Sequence, residues 1–471
     1  MTDRLKYSLL AVVFLLGYTS LAFELIVLRQ LINFVGSNTL ITSVVMAFIL
    51  LFLSVGYYFG SVVKFARRPV RTIMLNFAKI LIVWYIIAGS YYLMEIYFYV
   101  LYLLGLHSSL GFVFVYAAAF LAFPSVCLGF ITSVAGRVLH RYDTDYTGRF
   151  MAVDTIGSVL GSLATTLVFM PLIGVAATVI VLAALTAAAA LLLCRRKQWK
   201  ETAFLSVMLL LFAGAVNNEK LMNPEHTLIK DDAISRIAVE PADFDASGKP
   251  QAKIMRINGS FSSKIAENEE LMFPYVRFIN DNFIKTLPKD APRDILILGA
   301  GGFTIGLGDD FHNYTFLDID KDLKDISEQK FLPDPLPDNQ KFIAQDAYLF
   351  MLKTKQKYDL IVVDVYSAVQ SIPMNFVTTD FFQKIKAHLK DNGIMVANII
   401  TSPAFTNEFS RRIDNTLRLF FPQYLQRQVL RNYNPYQPDG EQLANVEYVY
   451  YNRPADNGFY SLNRNAALYG Q

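Results

Sequence analysis

Cysteine is nearly missing from this chain. Its two copies, Cys127 and Cys194, sit in apolar runs far from any candidate motif. Neither a disulfide framework nor a Cys/His zinc site is expected. Histidine is almost as scarce. The five copies are scattered, so no His-based metal centre, and no metal, is expected. Charge is thin as well. Asp, Glu, Lys and Arg make up 18% of the chain, and the net charge of +3 supplies no basic face for nucleic acid. Apolar residues fill the gap. They form 54% of the 471 residues, the mean hydropathy is +0.34, and the excess lies in the first half. The length allows roughly two to four domains.

Seven apolar runs follow one another: Leu9–Leu28, Leu40–Val63, Ile73–Leu104, Leu110–Val134, Met151–Met170, Val175–Leu193 and, more weakly, Ala203–Val216. A helix spans a bilayer with about 20 apolar residues. A cleaved signal peptide would account for the first run alone. The expectation is a multi-pass helical bundle over residues 1–216, set in the cell (inner) membrane with the lipid bilayer as partner. Lys and Arg are confined to alternate loops: Lys64, Arg67, Arg68 and Arg71, then Arg137, Arg141 and Arg149, then Arg195, Arg196, Lys197 and Lys200. The positive-inside rule assigns these loops and the N-terminus to the cytoplasm. Glu24, Arg29, Lys79, Glu95 and Asp154 lie within or at the edges of the runs. Such residues are functional candidates by default, with Glu24 pairing to Arg29 across a helical turn as the structural alternative. Gly157, Ser158, Gly161 and Ser162 have the spacing of close helix packing.

In the second half, residues 217–230 read as a linker and 231–261 as a small antiparallel β-sheet. Residues 262–452 read as an α/β Rossmann-like domain and 453–471 as a tail. Short apolar runs at Ile295–Leu298, Phe316–Leu317, Phe342–Asp346, Leu360–Val363 and Ile394–Ile399 have the character of parallel strands buried on both faces. Tyr424–Val429 and Val446–Tyr451 read as a closing antiparallel pair. Ligands of such sheets bind at the carboxyl ends of the strands, and here those ends carry glycines and carboxylates. Gly299-Ala-Gly301-Gly302, expected at the head of a helix, lets a ligand approach the backbone. Asp318 follows Gly299 by 19 residues, a spacing that offers one carboxylate to both hydroxyls of a ribose. That spacing serves nicotinamide and adenosyl ligands alike. Asp346 suits either an adenine amino group or the N-cap of the next helix. Asp364, at a strand tip, suits a general base or an ammonium partner.

These residues carry a resemblance. The ordered set comprises Asn258-Gly259, Tyr275, the Gly299–Gly302 turn, Asp318-Ile-Asp320, Asp346-Ala347, Tyr358-Asp-Leu-Ile-Val-Val-Asp364, Ile372-Pro373, Thr378-Thr-Asp-Phe-Phe382 and Asn392-Gly393. It resembles the spermidine synthase (polyamine aminopropyltransferase) family. With Phe23-Glu24-Leu-Ile-Val-Leu-Arg29, Pro124-Ser-Val-Cys-Leu-Gly129 and Asp154-Thr-Ile-Gly157-Ser-Val-Leu-Gly161, the chain looks like the family's membrane-fused bacterial branch. The resemblance implies transfer of an aminopropyl group from decarboxylated S-adenosylmethionine to putrescine or a related amine. It gives Asp318 the ribose, Asp346 the adenine and Asp364 the amines, and makes Tyr275, Asn258, Ser262 and Ser367 acceptor-side positions. Four of these positions depart from the family pattern. Gly302 stands where the family has an Asp, Ser367 where it has a second acid, Ser262 where it has a Gln, and Asn258 where it has an Asp. Glu267, Glu269, Glu270 and Asp320 are the candidate substitutes.

Two other readings stand beside this one: a different adenosyl-dependent transferase such as a methyltransferase, and a non-catalytic membrane protein that binds a nucleoside or polyamine. A homodimer is compatible with all three. The last apolar run has 14 residues, short of the usual roughly 17–25. Read as interfacial or re-entrant, it keeps the second half in the cytoplasm, where adenosyl metabolites are found. That placement is the expectation, although loop charges alone favour the other face.

Overall fold

The computed structural model describes residues 3–36, 39–63, 70–106, 108–141, 146–223, 225, 227–366, 372–430 and 443–454. Two units are distinguished. The first comprises Met1–Ala242, Lys253–Ser262 and Ser367–Ser371. The second comprises Asp243–Ala252, Ser263–Tyr366 and Ile372–Gln471.

In the first unit the apolar runs fold as helices: α1 (Asp3–Val35), α2 (Thr39–Val62), α3 (Val70–Gly89), α4 (Tyr91–Leu103), α5 (Ser109–Tyr116), α6 (Ala122–His140), α7 (Tyr146–Ala164), α8 (Met170–Leu193) and α9 (Trp199–Val216). Among the described residues, six helical stretches are long and apolar enough to cross a membrane. One of them, Thr147–Leu193, has 47 residues. As a straight helix it would run about 70 Å, more than twice a hydrocarbon core of about 30 Å. It is broken inside α8 at Gly174, whose φ of 80° and ψ of 167° are not helical, so the residues before it (147–173) and after it (175–193) are two membrane-length segments. Close packing follows the small residues, as their spacing suggested. A Cβ on Gly157 or Gly161 would fall within 2.3 Å of the Phe14 or 2.2 Å of the Tyr18 carbonyl oxygen.

Three sequence expectations change here. The Ile73–Leu104 run is not one helix, because it breaks at Ser90 between α3 and α4. The last run is an 18-residue helix rather than a 14-residue one, because Trp199 to Thr202 extend it with polar residues. It runs beside α3, tied at one end by Lys79 Nζ to Glu201 at 2.9 Å. At the other end the Ser90 hydroxyl donates to the Val216 carbonyl at 3.2 Å. Finally, Arg29 does not spend itself on Glu24. Its Nη2 meets Asp231 Oδ1 at 3.4 Å and its Nε donates to the Asp232 carbonyl at 2.7 Å. Asp231 Oδ2 takes Arg236 Nη1 at 2.8 Å, and all three side chains are buried.

After α10 (Glu219–Met222), a four-stranded sheet has the order β1-β2-β3-β4, with β1 (Leu228–Asp231), β2 (Arg236–Phe244), β3 (Pro250–Ile257) and β4 (Ser260–Ala266). The division between the two units runs through this sheet.

The second unit is built on a seven-stranded sheet. Its strands are β5 (Asp294–Leu298), β6 (Asn313–Asp318), β7 (Gln340–Ala344), β8 (Tyr358–Val363), β9 (Leu389–Thr401), β10 (Leu425–Leu430) and β11 (Ala444–Tyr451), in the order β10-β11-β9-β8-β5-β6-β7. Strands β5 to β9 pair in parallel and β11 runs against both neighbours. The apolar runs are buried on both faces because α11 (Pro274–Ile279), α12 (Leu323–Ile326), α13 (Ala347–Lys353), α14 (Thr379–Ala387) and α15 (Glu408–Phe420) supply cover: Leu296, Ile361 and Met395 on one face and Ile297, Val362 and Val396 on the other reach no solvent. Strand β5 pairs with β6 on one side and β8 on the other, so the chain's winding reverses there. Such a switch point opens a crevice beyond the strand ends. The helix expected after the glycine turn is not formed. Residues 299–312 are turns and bends, because Gly299, Gly301, Gly306 and Gly308 all take positive φ.

Candidate functional site

The site lies at the switch point, on the tips of β5, β6 and β8. Gly299 takes φ 90° and presses on the neighbouring strand tip: a Cβ there would sit 2.1 Å from the Asp364 carbonyl oxygen. The Asp364 N–H donates to the Leu298 carbonyl at 2.8 Å. The turn and the Asp364 tip are therefore one rigid piece of backbone.

Asp318, at the end of β6, faces that turn. Its Oδ2 accepts the Ala300 N–H at 3.3 Å and its Oδ1 the Asp320 N–H at 3.1 Å. Burial pushes its carboxyl up to about 6, opposed by those N–H groups. A phosphate-binding turn would offer the N-terminus of a helix. This turn offers none among the described residues, which suits an uncharged nucleoside edge better than a pyrophosphate.

Gly302 has no room for a side chain. A Cβ would fall 2.4 Å from a ring carbon of buried Phe331 and 2.9 Å from Ser263 Cβ. Its N–H donates to the Ser263 hydroxyl at 2.7 Å. The space that an Asp would need at this position is filled by Phe331. Asp346 caps α13, accepting the Leu349 N–H at 2.8 Å through Oδ1; Oδ2 is not used by the cap.

Around Asp364 the structure gathers Tyr275 from α11, Tyr366 just beyond β8, and Asn398 from β9. Asn398 Nδ2 donates to Asp364 Oδ1 at 2.8 Å, and the Tyr275 hydroxyl also hydrogen-bonds that carboxyl. The Tyr366 hydroxyl donates to the Asn398 carbonyl at 3.0 Å and accepts the Ile400 N–H at 2.7 Å. Burial raises the Asp364 carboxyl to about 6, and the bonds from Asn398 and Tyr275 pull it back. Burial lifts the Tyr275 phenol well above its ordinary range, and the Asp364 carboxylate lifts it further. A carboxyl near 6 is a better proton acceptor at neutral pH than an ordinary Asp, yet remains mostly ionised.

The remaining sequence candidates fall elsewhere. Asn258 sits at φ 49° in the turn before β4. Its Oδ1 accepts the Arg236 N–H at 3.0 Å and its own N–H donates to the Arg236 carbonyl at 2.9 Å. Ser262 lies in β4. Both belong to the first unit, and Ser367 falls outside the described residues. Of the four suggested substitute acids, Glu267, Glu269 and Glu270 are exposed, with Glu269 on Lys285 at 2.9 Å. Buried Asp320 accepts the Asp322 N–H at 3.1 Å.

Sequence reasoning missed Tyr366, Asn398 and above all Glu447. Glu447 is wholly buried in β11, and neither of its carboxyl oxygens has a hydrogen-bond partner among the described residues. One signal was available: Glu447 is the sole charge in Ala444–Tyr451, a strand buried along nearly its whole length. A charged residue in such a run is rare without a purpose.

Residues 276–433 match a family model described as the spermine/spermidine synthase domain. The polyamine aminopropyltransferase of Sulfurisphaera tokodaii is 29% identical over 183 residues, a stretch covering 36% of this chain and 56% of that protein. That of Pyrobaculum calidifontis is 28% identical over 213 residues, covering 41% and 69%. The chain thus spans little more than half of the first of these relatives. Among solved structures, a probable spermidine synthase from Corynebacterium glutamicum is 22% identical with a TM-score of 0.38, covering 50% of this chain and 82% of that one.

Proposed function

Because residues 276–433 belong to the spermine/spermidine synthase family, we propose that this chain is a membrane-bound aminopropyltransferase. It transfers the aminopropyl group of decarboxylated S-adenosylmethionine to putrescine or a related amine. The observation that carries this reading is the Asp364 carboxyl at the switch point, held by Asn398 and Tyr275 beside a glycine turn that lies against Asp318.

The reaction asks little of the protein beyond alignment and one proton transfer. The donor is a sulfonium and is already activated. The amine lone pair attacks the carbon next to sulfur, the C–S bond breaks, and its electron pair stays on sulfur as a neutral thioether, methylthioadenosine. The new secondary ammonium loses a proton, and Asp364 takes it and passes it to solvent. Positioning supplies most of the acceleration. Asp364 keeps the attacking nitrogen in place and deprotonated. In this reading Asp318 holds the ribose hydroxyls and Asp346, through Oδ2, the adenine amino group.

The chain crosses the membrane seven times in this reading and leaves it at Val216 on the face opposite the basic loops. Two findings support that. The 47-residue stretch is broken at Gly174, and α9, at 18 residues, falls inside the spanning range of roughly 17–25. The cytoplasmic placement expected from donor chemistry rested on a last run too short to cross. With an odd number of crossings, an N-terminus on the basic-loop side puts residue 217 on the other side.

The test uses the full chain in detergent with a panel of donors and amines. Methylthioadenosine from decarboxylated S-adenosylmethionine and putrescine is expected, and Asp364→Asn abolishes it. Adenosylhomocysteine from S-adenosylmethionine would instead make the protein a methyltransferase. Donor binding with no turnover would make it a binding protein.

A further inference from the structure

We propose that Glu447 recognises the second, non-reacting ammonium of the acceptor, so that the site selects a diamine over a monoamine. The proposal rests on the aminopropyltransferase reading and adds to it the residue that holds the acceptor's far nitrogen.

The geometry comes from the sheet register. Val363 of β8 pairs with Ala397 of β9, and Asn398 of β9 pairs with Glu447 of β11. Asp364, Asn398 and Glu447 therefore form a row across three neighbouring strands. Strands lie about 4.8 Å apart, so the backbones of the two acids are roughly 10 Å apart, and both side chains extend from that row. Asn398 Nδ2 gives one N–H to Asp364, and its Oδ1 accepts Asn445 Nδ2 at 2.8 Å. Neither of these bonds is directed at Glu447.

Glu447 has no exposed surface, and both its oxygens lack a partner among the described residues. A buried carboxyl in that state is costly to keep, and a group that persists so calls for an explanation. Among the described residues it caps no helix, joins no ion pair and binds no backbone. What it lacks is a donor carrying positive charge. A diamine with one nitrogen at Asp364 would bring such a donor, and Tyr275 and Tyr366 would flank the methylenes between.

Burial, and next the nearby Asp364 charge, hold the Glu447 carboxyl well above the ordinary range. Both causes favour its neutral form in the resting site. An arriving ammonium favours the carboxylate. The carboxylic acid and the alkylammonium become a carboxylate–alkylammonium pair, and one proton goes to solvent. A monoamine held at Asp364 would not reach Glu447 and would release no proton from it.

The experiment compares wild type with Glu447→Gln, which keeps the shape and the neutral charge of the resting side chain. Titration calorimetry of the full chain with putrescine and with n-butylamine, in buffers of different ionisation enthalpy, reads affinity and proton release together. Putrescine affinity is expected to fall roughly 30-fold or more in the variant. n-Butylamine affinity should stay within about twofold, and the proton released on putrescine binding should vanish. In turnover the loss appears in KM for putrescine more than in kcat. Glu447→Asp, which keeps the charge, should keep the preference for putrescine and guards against a Gln variant that fails to fold. Equal loss for both amines, no loss for either, or putrescine binding without proton release would each overturn the proposal. If wild type turns putrescine over and Glu447→Gln is unchanged, only the diamine inference falls. If wild type binds no amine, the aminopropyltransferase reading falls with it.

Discussion

Replacing Gly302 tests whether this chain has lost an acid or has rebuilt the space. A Cβ at Gly302 would lie 2.4 Å from a Phe331 ring carbon, about 1 Å inside ordinary contact. Phe331 is 1% exposed and cannot swing aside. Overpacking of this kind costs about 1–3 kcal/mol, and a ring pinned on all sides argues for the upper end. The lost flexibility of the unfolded chain offsets about 0.4–1 kcal/mol. The net for Gly302→Ala is then a destabilisation of about 2 kcal/mol. For a domain of 150–250 residues that lowers Tm by about 4–8 °C. Both tryptophans, Trp84 and Trp199, lie in the helical bundle, so their fluorescence should not move. The change should appear in tyrosine near-ultraviolet circular dichroism and in proteolysis of the second half. In a Phe331→Leu background the cost of Gly302→Ala should drop below about 1 kcal/mol, because the two positions share one space. Gly302→Asp meets the same wall and should not raise turnover. A Gly302→Ala protein as stable as wild type, within about 0.5 kcal/mol, would refute the packing account.

Two further outcomes are expected. Asp364 is raised to about 6 and must be ionised to accept the amine proton, so kcat/KM should rise with pH through about 6 and be lost below it. A profile flat from pH 5 to 7 removes Asp364 from the proton transfer. A C-terminal alkaline phosphatase fusion should be active and a C-terminal green fluorescent fusion dark under the proposed topology, in which the chain leaves the membrane opposite the basic loops; the reverse pattern would restore the cytoplasmic placement.

Much of this architecture is visible in periodicity. The strands of the large sheet are short apolar runs, and they appear within a few residues of their expected ends because burial on both faces leaves no alternation to misread. The candidate site was legible where residues stand close in sequence to a strand tip: Gly299, Asp318, Asp346 and Asp364. It was illegible where a residue arrives from another strand. Nothing local to Glu447 says that β11 pairs with β9 and brings it beside Asn398. The glycine turn misled in a different way. Its glycines suggested a helix head, yet Gly299 and Gly301, and Gly306 and Gly308 beyond the turn, adopt positive φ, which a helix does not tolerate. Gly302 read as a missing acid because sequence shows what a position lacks but not what has moved into its space. Length misled at α9, whose first turn is polar and so lay outside the apolar run.

The Arg29–Asp231–Arg236 cluster has a consequence in time. Arg29 belongs to α1, and its carboxylate partner lies 202 residues later. At roughly 5–20 residues per second, α1 waits about 10–40 seconds for Asp231. Through that interval a guanidinium near the end of a long apolar helix lacks the counter-ion that the finished protein gives it. The Arg29–Asp231–Arg236 network is thus completed only after α9 has been made and the sheet has begun. Chains ending before Asp231 should be cleared by membrane proteases faster than chains ending after β4. Equal lifetimes in a pulse–chase experiment would show that the early helices settle without it.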